Sequence, residues 1–264
     1  MERECINSFV NSGFSRLIKI DPLIDLMGNL QRVISYFDKT CPFRGPSIYF
    51  HDETVKRFSS LSCNIEEACN DAEFLAKLYA TLACWGMHRM GNPANHMVEF
   101  ADFRKTLKKY IVSIQELQDV LIINIADGYG KAGNEDIVDK ISDKIWEIIK
   151  GLKIAHNDTH LVAGTKVLHH LLPQLVPPID RTYSLRMFYG NTYLYCEKEV
   201  FRQLFRCYFV FAYECKRDVE RLLIEPGHVM NTSFTKVLDN AVVGFIRKNE
   251  RLTDKNRKNS FSGV

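Results

Sequence analysis

Apolar residues recur along this chain with the 3.6-residue period of helices that bury one face, and the polar positions between them mark where each helix starts and stops. Asp21-Pro22 places a capping carboxylate before a proline at the first helical position. The helix it opens is expected to run to about Asp38 and to bury Leu23, Leu26, Leu30, Val33, Ile34 and Phe37. Thr40–Tyr49, with two prolines and a glycine, reads as a loop. Asn70 with Glu73 has the form of a capping box opening a helix through Phe74, Leu75, Leu78, Tyr79, Leu82 and Trp85, ended by Gly86 or Gly91. A helix over Asn95–Ile114 follows, with Arg104, Lys105, Lys108 and Lys109 on its basic side.

Ala126–Glu135 reads as a glycine-rich loop. Asp136–Lys150 then repeats isoleucine at helical spacing through Ile137, Ile141, Ile145, Ile148 and Ile149 until Gly151. A short helix centres on Lys166–Leu172, and the longest spans Glu197–Ile224, apolar over most of its circumference. Such a helix belongs in the middle of a bundle. Ser233–Asn249 forms a last helix. Strand patterning is confined to Ser47–Phe50 and Met187–Tyr195. The expected fold is all-α, a compact multi-helix bundle with little or no strand. Residues 1–250 form one helical domain and 251–264 a mobile polar tail.

Composition adds little: 46% hydrophobic and 25% charged residues are those of an ordinary globular protein. A net charge of +3 neither requires nor excludes nucleic acid. The eight cysteines contain no C-x-x-C pair and read mostly as small buried thiols in a reducing compartment. No apolar run approaches the ~18 residues of a membrane span, so no membrane partner is expected, and the N-terminus lacks a signal-peptide pattern. The cytoplasm is the expected location.

Two candidate motifs dissolve on inspection. Gly128–Gly133 resembles a phosphate loop, but Ala132 follows Lys131 where a metal-reaching hydroxyl is needed, which leaves an interhelical loop. His156 and His160 are separated by a cap-like Asn157-Asp158-Thr159, and no His-Glu-x-x-His pattern exists, so no metal and no cofactor are expected.

The chemistry concentrates in Leu161–Tyr189. If Thr165–Leu172 is helical, Val167, Leu168, Leu171 and Leu172 form its buried stripe, and Lys166, His169 and His170 share the opposite face. Pro177-Pro178 stiffens the approach to Asp180, which is placed to cap a new helix through Thr182 and Tyr183. The candidate site is Lys166 and Asp180, with Gly164, Thr165, His169, His170 and Arg181 around them.

Gly164-Thr165-Lys166-Val167, followed by Val176-Pro177-Pro178-Ile179-Asp180, resembles the core of the helix-hairpin-helix DNA glycosylases. The resemblance implies a hairpin whose amides hold a DNA phosphate. It also implies that Lys166 attacks C1′ of a flipped nucleotide to form a Schiff base, and that Asp180 steadies the positive sugar. Arg104, Lys105, Lys108, Lys109, Arg247, Lys248, Arg251, Lys255, Arg257 and Lys258 would add phosphate contacts. Leu161-Val162 stands where that family has Pro-Gly, and the Lys166–Asp180 spacing is shorter than the family's. The same pattern is also similar to prokaryotic families of unassigned function that share the helical core. Two readings therefore stand side by side. One is a DNA-binding protein with a glycosylase- or lyase-like site. The other is a non-catalytic helical module that binds a protein or small ligand.

Overall fold

The computed structural model describes residues 2–87, 96–125, 135–194, 196–228 and 230–261. It is an all-α bundle, as expected. Among the described residues the only β-type pairing is an isolated antiparallel bridge between Met97 and Ala155.

The first third of the chain contains α1 (Arg3–Asn11), α2 (Asp21–Gly28), α3 (Leu30–Thr40), α4 (Pro46–Ser60), α5 (Ile65–Asn70) and α6 (Ala72–Leu82). The single helix expected over 21–38 is two, because the chain bends at Asn29, whose amide side chain turns back onto the Asp25 carbonyl at 3.0 Å. The expected loop at Thr40–Tyr49 contains the start of α4. Gly45 takes φ +54 and Pro46 occupies the first turn, so that proline starts a helix, and Ser47–Phe50 is helical rather than extended. The cap of α6 is Asp71, whose carboxylate accepts from Phe74 N–H at 2.6 Å, not Asn70, which ends α5. Asp71 is held by a two-pronged contact from Arg57 (2.6 and 3.0 Å), a charge-assisted geometry Asn70 could not offer.

The middle contains α7 (Phe100–Lys109), α8 (Ile111–Gln115), α9 (Ile122–Ile125) and α10 (Glu135–Leu152). The helix expected over Asn95–Ile114 is thus broken at Tyr110, and Asn95 lies outside the described residues. So does the glycine-rich segment, apart from Glu135, which opens α10. The last part holds α11 (Leu161–Leu171), α12 (Arg186–Tyr189), α13 (Glu197–Glu214), α14 (Lys216–Ile224) and α15 (Phe234–Phe261). Met187–Tyr189 is helical rather than extended, and α15 continues to Phe261 where a mobile tail was expected from Arg251.

The centre is α13. Val200, Phe201 and Leu204–Ala212 are all buried, including Phe205 and Phe209, and α1, α2, α9, α10, α14 and α15 pack around it. The expected continuation to Ile224 is interrupted at Cys215. The bend moves the chain from the centre to the surface, so that α14 buries Val219 and Leu222 while Arg217, Asp218 and Glu220 reach water. One cation inside this apolar helix is fully spoken for. Arg206 donates to both carboxylate oxygens of Asp139 in α10 (2.9 and 2.7 Å) and to the carbonyls of Phe9 and Ser12 (2.7 and 3.0 Å), tying α1 to the core. All eight cysteines are free thiols, but only Cys69, Cys207 and Cys215 are buried, fewer than the apolar patterning suggested.

α3 and α15 meet at Gly244, where a Cβ would lie 2.7 Å from the Val33 carbonyl oxygen. That contact is backbone and cannot step aside. Gly244→Val is expected to destabilise the fold by about 2 kcal/mol or more through overpacking. Gly28 has open space around it, so Gly28→Ala is expected to stabilise by up to about 1 kcal/mol. Denaturant midpoints moving in opposite directions for the two variants would bear this out; a neutral Gly244→Val would refute the close approach.

Candidate functional site

The helix that carries the site is capped from a distance. Glu197, in the first turn of α13, accepts from the backbone N–H groups of His160 (2.7 Å) and Leu161 (3.2 Å), in place of the local Asp158 or Thr159. From there α11 runs unbroken through Gly164 and Thr165, so no hairpin forms at this position. The Gly164 amide is consumed by the His160 carbonyl at 2.8 Å and offers nothing to a phosphate. Gly164 has a packing reason instead: a Cβ there would lie 2.7 Å from Ile149 Cγ2, so the glycine sets how closely α11 approaches α10. Thr165 is fully buried, and its hydroxyl accepts from the Ile179 N–H at 3.1 Å. It therefore pins the Pro177-Pro178 segment to the helix one residue before Asp180.

The expected polar face of α11 exists, but it faces the interior: Lys166, His169 and His170 are all buried. The cause is α4 and α15, which cover that side of the helix with groups of their own. The tautomers follow from the partners. His170 Nδ1 contacts the Lys166 carbonyl (2.8 Å), which can only accept, so Nδ1 carries the proton and Nε2 is free to accept. His51 Nδ1 in α4 then donates to His170 Nε2 (3.0 Å), and His51 Nε2 accepts from the Thr232 hydroxyl (3.0 Å). His169 Nδ1 donates to the Val176 carbonyl at 3.0 Å, with the Thr235 hydroxyl 3.1 Å away. Burial favours the neutral form of all three rings. His169 and His170 brace the helix through these bonds.

Lys166 and Asp180 do meet. Lys166 Nζ donates to the Trp85 carbonyl at 3.1 Å and lies 3.4 Å from Asp180 Oδ2. Burial pushes the Lys166 amine below its ordinary pKa, and the Asp180 charge opposes that shift. Asp180 caps the next turn, accepting from Thr182 N–H through Oδ1 at 2.7 Å, as the sequence predicted. Arg181 is exposed and donates to the Thr192 carbonyl at 2.9 Å.

The pair opens onto a cavity of about 50 Å³ whose other charged groups come from α15. Lys236, wholly buried, donates to Asp239 Oδ2 (2.6 Å) and Asn240 Oδ1 (2.9 Å). Burial raises the Asp239 carboxyl, and the Lys236 charge opposes that. Phe43 and Trp85 stack at 6.3 Å, and the Lys236 amine lies 5.3 and 5.4 Å from their ring centres. Tyr183 and Pro178 complete the wall. None of Phe43, Trp85, Lys236 and Asp239 was singled out in the sequence as a site residue. Lys236, Asp239 and Asn240 fall at i, i+3 and i+4, a spacing that also describes any solvated helical face. Trp85 reaches the cavity because α6 gives way to a π-turn over Ala83–Met87, with Gly86 at φ +81.

Asp180 also borders a second, outer groove of about 160 Å³, floored by Met87, Met97, Val162 and Leu194 and edged by Asn157, Arg181 and Thr182. On α7, Lys105, Lys108 and Lys109 are exposed, while Arg104 is half-buried and lies 5.8 Å from the Phe100 ring; none of these borders either space. Arg247 and Lys248 are half-buried too, so fewer cations of the expected phosphate-binding set stand free. Among the described residues no group of three or more His, Cys, Asp or Glu could hold a metal ion.

The buried rings set a pH dependence. Burial holds His51 and His169 well below the usual histidine value and brings His170 down to about 4. Below an unfolded-state pKa of about 6.5 the unfolded chain binds protons that the folded chain refuses. Stability is therefore full above about pH 6.5 and falls as the pH drops toward 4, by up to about 1.4 kcal/mol per pH unit for each ring. Denaturant unfolding between pH 7.5 and 4.5 measures this, and His51→Phe should flatten the curve. An unchanged midpoint across that range would contradict the neutral, buried rings.

Comparisons with protein-family models, curated proteins and solved structures return no match, so the chemistry of the cavity itself carries the functional reading.

Proposed function

We propose that this chain is a small-ligand-binding protein whose site is the cavity between Lys166, Asp180, Lys236 and Asp239. One observation supports the reading: Lys166 of α11, Asp180 of the following segment and Lys236 and Asp239 of α15 converge on the same aromatic-walled space. Buried ion pairs are seldom better for stability than apolar residues of equal volume, because the attraction hardly repays the lost hydration. Four ionisable groups around one cavity are better explained by recognition than by folding. The volume suits a few heavy atoms rather than a flipped base with its sugar.

A second reading, lyase chemistry on DNA, draws on a separate observation. The Lys166 amine is shifted toward its neutral, nucleophilic form, and a carboxylate stands beside it. The exposed Lys105, Lys108 and Lys109 would then supply salt-sensitive phosphate contacts, each neutralised phosphate adding about −0.9 to the slope of log K against log salt.

Lys166→Met separates the readings from a folding defect, because Asp180 is partly exposed and can be hydrated when its partner is lost. Thermal unfolding of the full chain against a chemically diverse set of small molecules is expected to show saturable stabilisation by some of them. The expected size is about 5 °C at a hundredfold excess over Kd, absent in Lys166→Met. No Lys166-dependent shift from any compound would retire the proposal. A borohydride-trapped adduct with an abasic-site duplex, lost in Lys166→Gln, would establish the lyase reading in its place.

A further inference from the structure

We infer that the inner cavity is a subsite for a small oxyanion, either a carboxylate group or free phosphate, held by the ammonium groups of Lys166 and Lys236. The inference rests on the small-ligand reading and names the chemistry of that ligand. It comes from counting donors. An ammonium group carries three N–H donors and no acceptor. Lys166 has two acceptors, the Trp85 carbonyl at 3.1 Å and Asp180 Oδ2 at 3.4 Å, the latter at the outer edge of hydrogen-bonding distance. Lys236 also has two, Asp239 Oδ2 and Asn240 Oδ1. One donor on each lysine is left without an acceptor among the described residues. Yet the side chains are only 6% and 1% exposed, and both border the same cavity.

Unmatched donors on buried cations are costly. Asp180 Oδ1 accepts from the Thr182 N–H, Phe43 and Trp85 present ring faces, and Asp239 and Tyr183 also line the space. A cationic ligand would bring no acceptor to either ammonium group. A neutral apolar one would leave both donors empty. An oxyanion brings two or more acceptor oxygens and can serve both lysines at once. Its charge is accommodated by loosening the long Lys166–Asp180 contact, since the Asp180 side chain is 31% exposed and can rehydrate.

Trp85 is a built-in reporter, with its ring centre 5.9 Å from Lys166 Nζ and 5.4 Å from Lys236 Nζ. The chain has only one other tryptophan, Trp146, which packs against Phe201. The test is to follow Trp85 emission in full-length protein carrying Trp146→Phe, during titration with sodium acetate or sodium phosphate against sodium chloride of equal ionic strength. A saturable change with acetate alone identifies a carboxylate, and with phosphate alone, free phosphate; with both, the subsite reads oxyanion charge. Chloride should give none. Binding should weaken roughly tenfold or more in Lys236→Met/Asp239→Leu, which leaves no lone buried carboxylate. Lys166→Met supplies the same comparison should the double variant not fold. If neither anion changes the emission while another compound gives a Lys166-dependent thermal shift, the oxyanion assignment falls and the small-ligand reading survives. If no compound does either, both fall.

Discussion

The rest of the site depends on the burial of the polar side of α11. A helix that carries Lys166, His169 and His170 into the interior imposes a demand on every neighbour, because each buried donor or acceptor must be matched or pay its full desolvation cost. The surrounding elements meet that demand in an ordered way. α4 supplies His51, the α15 region supplies Thr232 and Thr235, and the π-turn after α6 supplies the Trp85 carbonyl. A low local dielectric strengthens each of these bonds and makes a missing partner expensive. The network therefore fixes the relative placement of helices far apart in the sequence.

Within that network the histidines and the lysines behave differently. The imidazole rings complete a chain in which each donor finds an acceptor, and they remain neutral. Among the described residues the two ammonium groups do not complete theirs. This separates a hydrogen-bonded core from the cavity, with the boundary along one helix, between Lys166 and His169. Side chains three residues apart on the same face thus serve different ends, depending on whether the opposing element is a ring partner or a cavity.

Delivery of Asp180 is a matter of backbone control. Pro177 and Pro178 restrict the approach, the Thr165 hydroxyl takes the Ile179 N–H, and the Ser184 hydroxyl takes the Asp180 N–H at 3.2 Å. With its main chain held on both sides, the carboxylate is aimed by geometry rather than by attraction to Lys166, which explains how a contact as long as 3.4 Å persists. The same residue borders the inner cavity and the outer groove, so any ligand larger than the cavity would pass or displace it.

Much of this was legible in the sequence. The helical period of the apolar residues determined the all-α class, the helix through Asp136–Lys150 and the central place of Val200–Ala212, because burial of an apolar stripe is a local property of spacing. The Asp180 cap was legible for the same reason, since a capping carboxylate acts on the next two or three residues. Tertiary structure decided the rest. The breaks at Asn29, Tyr110 and Cys215 depend on what each segment must pack against. The glycine in Gly164-Thr165-Lys166 suits a hairpin or a close helix crossing equally well, and only Ile149 on α10 selects the second. Whether Lys236, Asp239 and Asn240 form a solvated face or a buried cluster is likewise undetermined by their spacing. It was settled when Phe43 and Trp85, some two hundred and one hundred and fifty residues away along the chain, closed over them, because burial of a charge is a property of the assembled interior and leaves no periodic mark on the chain that carries it.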